Sequence, residues 1–376
     1  MILTAFLLLV SFGAFYSWFV FRVWRGLSNL GSRSAGNKRI AFVSVVVAAR
    51  NEAASIEKCI SAILEQDYPR NKFEVIVVDD NSTDSTADLV KKMVKKFKNL
   101  RLHKLSPRPN VSIGRKPESI ALGVSVAKGE VILTTDADCY VPRTWLRAMT
   151  EGFAEDVMFQ AGPVVEMQTG SFLNKVESLE FMSLIVTGAG LIGAGRPIIC
   201  NGANLAYRKS AFNAVQGFKG TVSSNDDETL MQRIFNRNIG KVRFVADPDA
   251  VVRTESKNNL WSFLKQRLRW AAKKGRYEDK TILAELALLY FFFFVLLAAG
   301  GASFFVPELK IPVAITFGLK IVLDYAAMRK GAHLLHQKLN GLVFLVAELF
   351  HVPYIVFTGA VGQFISQEWK GRSLDR

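Results

Sequence analysis

Cysteine is scarce in this chain: Cys59, Cys139 and Cys200 are the whole complement. Three thiols, odd in number and far apart, exclude a disulfide-framed fold and offer no zinc spacing, so reduced thiols in a cytosolic domain are expected. Acidic residues are also short, 33 against 48 Lys and Arg, a formal net charge of +15. Such a charge implies an anionic partner, whether nucleic acid, acidic lipid or a phosphorylated substrate. No DNA- or RNA-binding motif is present and much of the basic charge borders apolar runs, which sets nucleic acid aside in favour of membrane surface plus phosphate. The first apolar stretch has no positive charge ahead of it and no small-residue cleavage pattern behind it, so a cleaved leader is not expected.

Hydrophobic residues, by contrast, make up half the chain, and Phe alone numbers 28. Residues 1–22 are long and apolar enough for a membrane anchor, and the basic flank Arg22, Arg25, Arg33, Lys38 and Arg39 places the following segment in the cytoplasm. Apolar composition returns over 281–366, with candidate spans at 282–306, 311–328 and 342–365. Lys320 and Asp324 interrupt the second, four residues apart, and can pair along a helix. Glu348, His351 and Pro353 interrupt the third, which either crosses or is a broken, interfacial segment. Three to four spans in all are expected, with residues 38–277 as a cytoplasmic domain of an integral, multi-pass cell-membrane protein.

That middle region alternates strands and helices. Residues 40–48, 73–78, 100–105 and 130–135 are short, β-branched or apolar runs, and helical patterns separate them. Ser85 to Asp88 carries a capping-box pattern opening one of those helices. Such alternation implies an α/β fold whose sheet is mainly parallel, and ligands bind such sheets at the carboxyl ends of the strands. Arg50 to Glu52, Asp79 with Asp80, and Asp136 with Asp138 all follow strands, so the three polar clusters should converge. Asp136 and Asp138, one residue apart, repel each other unless a cation intervenes; Mg²⁺ or Mn²⁺ takes one or two carboxylates and completes its shell with water and phosphate oxygens. A solvated acidic turn is the alternative for this pair.

Further along, residues 172–191 mix large apolar side chains with Glu177 and Glu180, as an amphipathic helix beside the membrane or as core. Cys200 to Asn204 is a run of small residues, either a ligand-approach loop or a tight turn. Asp226, Asp227 and Glu228 read as a helix start beginning near Ser224, or as a general base for attack by a hydroxyl. Residues 261–274, WSFLKQRLRWAAKK, form a basic amphipathic pattern with Gln266, Arg269, Trp270 and Lys273 on one face. The pattern suits an interfacial helix, a cationic and aromatic wall for a diphosphate and an acceptor, or both.

Taken together these segments resemble the membrane-bound family 2 glycosyltransferases, from about Val43 to Lys274. VVVAARNE at 45–52 resembles the family's first strand and turn, which implies nucleotide contacts at Ala49 and Glu52. VIVVDDNSTDST at 75–86 resembles the second, with Asp80 on the nucleotide base. TTDADC at 134–139 resembles the DxD motif, which makes Asp138 the main metal ligand and places Asp136 near the ribose or metal. NDDETL at 225–230 resembles the Glu-Asp motif, with Asp227 as base and Asp226 its neighbour; here a second Asp stands where the family has Glu. QRLRW at 266–270 looks like the QxxRW motif, through Gln266, Arg269 and Trp270. Lys116 corresponds to a nucleotide-contacting lysine, although the Pro117 that follows departs from the family pattern.

The resemblance implies a GT-A, Rossmann-like domain and inverting sugar transfer from a nucleotide-diphosphate sugar, assisted by Mg²⁺ or Mn²⁺. The acceptor would be a lipid-linked sugar or a growing polysaccharide at the membrane. The rival is a non-catalytic nucleotide-sugar-binding subunit of an envelope polysaccharide assembly complex, which would have no use for a base at Asp227.

Overall fold

The computed structural model describes residues 2–30, 40–107, 115–151, 153–168, 170–219, 226–256, 259–272 and 277–364, with the pairs 368–369 and 372–373. Arg33, Lys38, Arg39, Ser224, Lys273 and Lys274 lie outside the described residues.

The chain opens with α1 (Ile2–Ser28), then alternates β1 (Val43–Ala49), α2 (Ile56–Leu64), β2 (Phe73–Asp79), α3 (Thr86–Val94), β3 (Leu100–Lys104), α4 (Lys116–Val126) and β4 (Val131–Asp136). Next come β5 (Cys139–Tyr140), α5 (Trp145–Thr150), β6 (Val157–Ala161), β7 (Val164–Met167), α6 (Phe172–Gly193), β8 (Leu205–Arg208) and α7 (Lys209–Ala214). α8 (Asp226–Asn236), β9 (Lys241–Phe244), β10 (Val252–Glu255), α9 (Leu260–Ala271), α10 (Lys280–Ala302), α11 (Lys310–Leu334) and α12 (Gly341–Gly362) complete this order. These elements fall into two compact units. Residues 168–194 and 257–277, which lie within the expected 38–277 domain, cluster by contacts with the terminal helices.

The sheet unit contains Leu30–Met167 and Gly195–Ser256. Its main sheet has the order β3-β2-β1-β4-β8-β6-β9. The valine-rich strands β1 and β2 are buried along nearly their whole length, as parallel strands covered on both faces must be. β1, β2, β3 and β4 pair in parallel, and β8 enters antiparallel between β4 and β6. Register does more than strand count to place the acidic residues: Ala49 stands opposite Asp79, and Ala48 opposite Asp136. The carboxylates of two strands are therefore delivered to one level of the sheet edge. A smaller sheet, β5-β10-β7, adds to the unit. At α3 the expected capping box does not form. The Ser85 side chain makes no cap hydrogen bond, and the Asp84 carboxylate accepts from the Thr86 N–H at 3.0 Å instead.

The helical unit contains Met1–Asn29, Gln168–Ala194 and Lys257–Ile365. Among the described residues, five helices, α1, α6, α10, Pro307–Leu334 and α12, are long and apolar enough to cross a membrane by length and composition, one more than the upper expectation. The additional one is α6, whose polar residues conceal its apolar character: Asn174, Glu177 and Ser178 are buried along it. α1 and α6 touch through glycine. A Cβ on Gly26 would collide with the Gly190 carbonyl, and one on Gly190 would lie 2.6 Å from Val23, the close backbone approach that small residues permit between apolar helices.

Charged residues in these helices find one another. Arg22 pairs with Glu285 at 2.5 Å. Lys320, fully buried, donates to Asp324 at 2.8 Å and to Glu348, and its ammonium lies 3.0 Å from His351 Nδ1. The Tyr16 hydroxyl donates to Asp324 at 2.6 Å. The pairing of Lys320 and Asp324 along their helix is thus present, and Glu348 and His351 complete the cluster without breaking α12, which runs on through Pro353.

Candidate active site

Two loops leave the carboxyl ends of β1 and β2 and are laced together by side chains. Asn51 and Asn81 both adopt positive φ, +52° and +54°, the left-handed conformation that asparagine tolerates best among residues with a Cβ. The Asn51 side chain accepts from the Thr83 N–H at 2.8 Å, and Arg50 donates to the carbonyls of Asp80 and Asn81 at 2.7 and 2.9 Å. Glu52 N–H donates to the Thr86 hydroxyl at 2.8 Å, and Asp80 N–H to the Ala49 carbonyl at 2.8 Å. Ala49, Glu52 and Asp80 consequently share one wall at the sheet edge.

A second group begins with Lys116. It is the first residue of α4, and Pro117 behind it is at home in a first helical turn, where its missing N–H costs nothing. Its ammonium meets Asp136 Oδ1 at 2.5 Å. Burial works against the lysine's charge, but Asp136, Asp226 and Asp227 outweigh it and hold the Lys116 pKa above its ordinary value. Gly202 lies beside this pair: a Cβ there would stand 3.1 Å from Asp227 Oδ2 and 3.5 Å from Lys116 Nζ. Its own carbonyl accepts from Thr134 on β4 at 3.3 Å. The small-residue loop after Cys200 therefore lies against Asp227 and Lys116.

Asp226 and Asp227 open α8, and their environments differ. Asp226 is only 5% exposed, whereas Asp227 is half-buried and its Oδ1 accepts from the Glu228 N–H at 2.9 Å. Burial pushes the Asp226 carboxyl up to about 7, with Lys116 opposing and Asp227 adding to the rise. A buried neighbouring hydroxyl feels the Asp226 charge and was not foreseen. Tyr207 on β8 has its hydroxyl sealed from solvent with no hydrogen-bond partner among the described residues, and burial together with the charge of Asp226 raises its pKa. A lone tyrosine in a strand pattern carries no sign of that role. Asn204 was equally unannounced: it accepts from the Trp145 indole N–H at 2.9 Å and donates to the carbonyls of Pro163 and Ala250 at 2.8 Å each, which anchors the loop bearing Gly202.

Asp136 ends β4, and Asp138 lies in the turn to β5. Both are partly exposed, and their charges raise the pKa of the buried Cys59 thiol beyond what its burial does. Two carboxylates with hard oxygen donors suit Mg²⁺ or Mn²⁺ rather than a thiolate-seeking metal, and they leave most of the shell to phosphate and water. The residues fit such an ion. Among the described residues, the carboxylate and imidazole cluster Asp324, Glu348 and His351 has metal-ligand spacing, with the Lys320 ammonium inside it.

Gln266, Arg269 and Trp270 lie on α9 in the helical unit. All three are half-buried, while Phe263, Arg267 and Leu268 form the buried side of the helix. The structure thus separates the expected site residues into a sheet-edge group and a helix group, each ordered within its own unit.

Residues 44–215 match the family described as Glycosyl transferase family 2, and residues 131–353, more than half the chain, match Glycosyl transferase family group 2. The chain is 28% identical over 245 residues to the probable glycosyltransferase YdaM of Bacillus subtilis (strain 168), covering 62% of this chain and 55% of that one. It is 27% identical over 248 residues to the beta-monoglucosyldiacylglycerol synthase of Nostoc sp. (strain PCC 7120), covering 64% and 50%. It therefore spans about half the length of these relatives. Among solved structures it resembles the mannosyltransferase PcManGT from Pyrobaculum calidifontis in complex with GDP-Man and Mn2+, with a TM-score of 0.64 and 21% identity over 96% of this chain and 99% of that one. The common fold is GT-A, and the chain belongs to the family 2 glycosyltransferases.

Proposed function

We propose that this protein is an inverting, metal-assisted glycosyltransferase that moves a sugar from a nucleotide-diphosphate donor to a membrane-associated hydroxyl at the cytoplasmic face. The observation that carries this reading is that Asp227 and Lys116 both lie against Gly202 while Lys116 pairs with Asp136 at the end of β4. A cation, a metal-ligand carboxylate and a partly exposed base are there within reach of one substrate.

Ala49, Glu52 and Asp80 receive the nucleoside. Asp138, with Asp136, would hold the divalent ion, which supplies charge neutralisation to the diphosphate as it leaves. Lys116 keeps Asp136 in place. Asp227 accepts the proton of the attacking hydroxyl, since it is the more exposed member of its pair, and Asp226 shares the local charge from the buried side. Gln266 and Arg269 address the diphosphate with hydrogen-bond donors, and Trp270 offers an aromatic face to the acceptor.

A lipid-linked sugar or a growing polysaccharide is the acceptor class. The five apolar helices and the diacylglycerol lipid in the name of the Nostoc relative support an acceptor held at the bilayer. The GDP-Man and Mn2+ of the Pyrobaculum structure support a nucleotide sugar and a divalent ion. Single displacement at the anomeric carbon turns an α-linked donor into a β-linked product. The product's anomeric configuration, read by NMR after incubation with a panel of nucleotide sugars and membrane lipids, tests the reading; retention of configuration contradicts it.

A further inference from the structure

The QRLRW segment contains a second arginine, Arg267, which the motif residues Gln266, Arg269 and Trp270 leave without a role. It is 3% exposed, on the side of α9 turned away from solvent. Its Nε donates to Glu180 Oε2 on α6 at 2.6 Å, and Glu180 Oε1 in turn accepts from the Tyr354 hydroxyl on α12 at 3.0 Å. The same guanidinium donates through Nη1 to Gln266 Oε1 at 2.8 Å. Its central carbon lies 4.3 Å from the centre of the Trp270 ring and 4.8 Å from that of Phe263.

We infer that Arg267 is a positioning residue for the diphosphate and acceptor wall: anchored to Glu180 and Tyr354, it sets the amide of Gln266 and the ring of Trp270. The inference rests on the role given above to Gln266. A guanidinium has only donors, so the amide must present its oxygen to Arg267 and turn its NH₂ outward. That orientation gives Gln266 two donors to offer, the chemistry that phosphate oxygens accept. Arg267 is itself already paired with Glu180, so it acts through its neighbours and not as an anion ligand. A lysine at this position has the charge but not the planar fork that meets Glu180 and Gln266 together.

The test is a double-mutant cycle on the full-length protein in lipid nanodiscs, with UDP and GDP as probes in the presence of Mn²⁺ and binding read by calorimetry. Gln266→Ala and Arg267→Met each weaken the nucleotide that wild type binds by about tenfold, the scale of one hydrogen bond to a charged group. The double variant is no weaker than Arg267→Met alone, and Arg267→Lys does not restore affinity. Because a lone buried Glu180 could unfold the chain, the cycle is repeated in a Glu180→Gln background, with thermal unfolding recorded for every variant. Losses that multiply in the double variant, with folding intact, overturn the positioning role alone. An inert Gln266→Ala, or a wild type that binds neither nucleotide, overturns the reading of the motif and this inference together.

Discussion

Lys116 is one ammonium facing three carboxylates, Asp136, Asp226 and Asp227, and that imbalance governs the chemistry of the cleft. Asp226 is the buried member, and burial first, then the charge of Asp227, raises its pKa against the opposing pull of Lys116. Its ordinary carboxyl pKa lies near 4 and its folded one near 7, so folding takes up a proton between those values. The stability it contributes is complete below about pH 4 and is lost as pH rises through about 7. Thermal unfolding of the metal-free protein between pH 5 and 8 should show that slope, and Asp226→Asn should flatten it. Asp227 makes a different prediction. Asp227→Asn should bind donor as wild type does and lower turnover by about 10²–10⁴-fold, the usual worth of a general base; parallel loss of nucleotide affinity would mark Asp227 as structural. The sequence places these two aspartates in one motif but cannot separate them, because the difference between them is burial, which distant segments of the folded chain supply.

At the scale of elements, the strands β1, β2 and β4 and the acidic residues at their ends were legible because valine runs and their polar terminators are local signals. The capping of α3 was not, since Asp84 and Ser85 offer competing oxygens and only the loop geometry chooses Asp84. α6 was the larger gap. Its glutamates suggest a half-solvated helix, yet Glu180 is bonded by Arg267 and Tyr354, and Gly190 lies against α1. Those partners are far from α6 in sequence, α1 before it and Arg267 and Tyr354 after it, beyond the reach of periodicity. The contact yields a measurement: Gly26→Ala should destabilise the protein by about 1–3 kcal/mol, as overpacking does, seen as a lower unfolding midpoint in detergent. The Lys320 cluster yields another. Lys320→Met leaves Asp324 and Glu348 facing each other and should cost about 3–5 kcal/mol, and adding Asp324→Asn and Glu348→Gln should restore most of the loss.

For the whole molecule, the chain joins a GT-A sheet unit to a helical unit of five apolar helices, and the expected site residues divide between them. The sheet unit holds Asp80, Lys116, Asp136, Asp138, Asp226 and Asp227, and the helical unit holds Gln266, Arg269 and Trp270 on α9. Order along the chain, more than any single motif, made the family readable, since each of VVVAARNE, VIVVDDNSTDST, TTDADC, NDDETL and QRLRW is weak by itself. For 172–191 the sequence left a helix beside the membrane and core as alternatives, because an insertion in the middle of a sheet domain gives no local sign of which helices it packs against. The account's central claim is metal-assisted transfer at the β4 edge, and nucleoside diphosphate release from a panel of nucleotide sugars with Mg²⁺ or Mn²⁺ tests it most directly. Wild type should release diphosphate from at least one donor, and Asp138→Asn, folded to the same unfolding midpoint, should release none. Undiminished release by Asp138→Asn, or silence from a wild type that binds nucleotide, would contradict it.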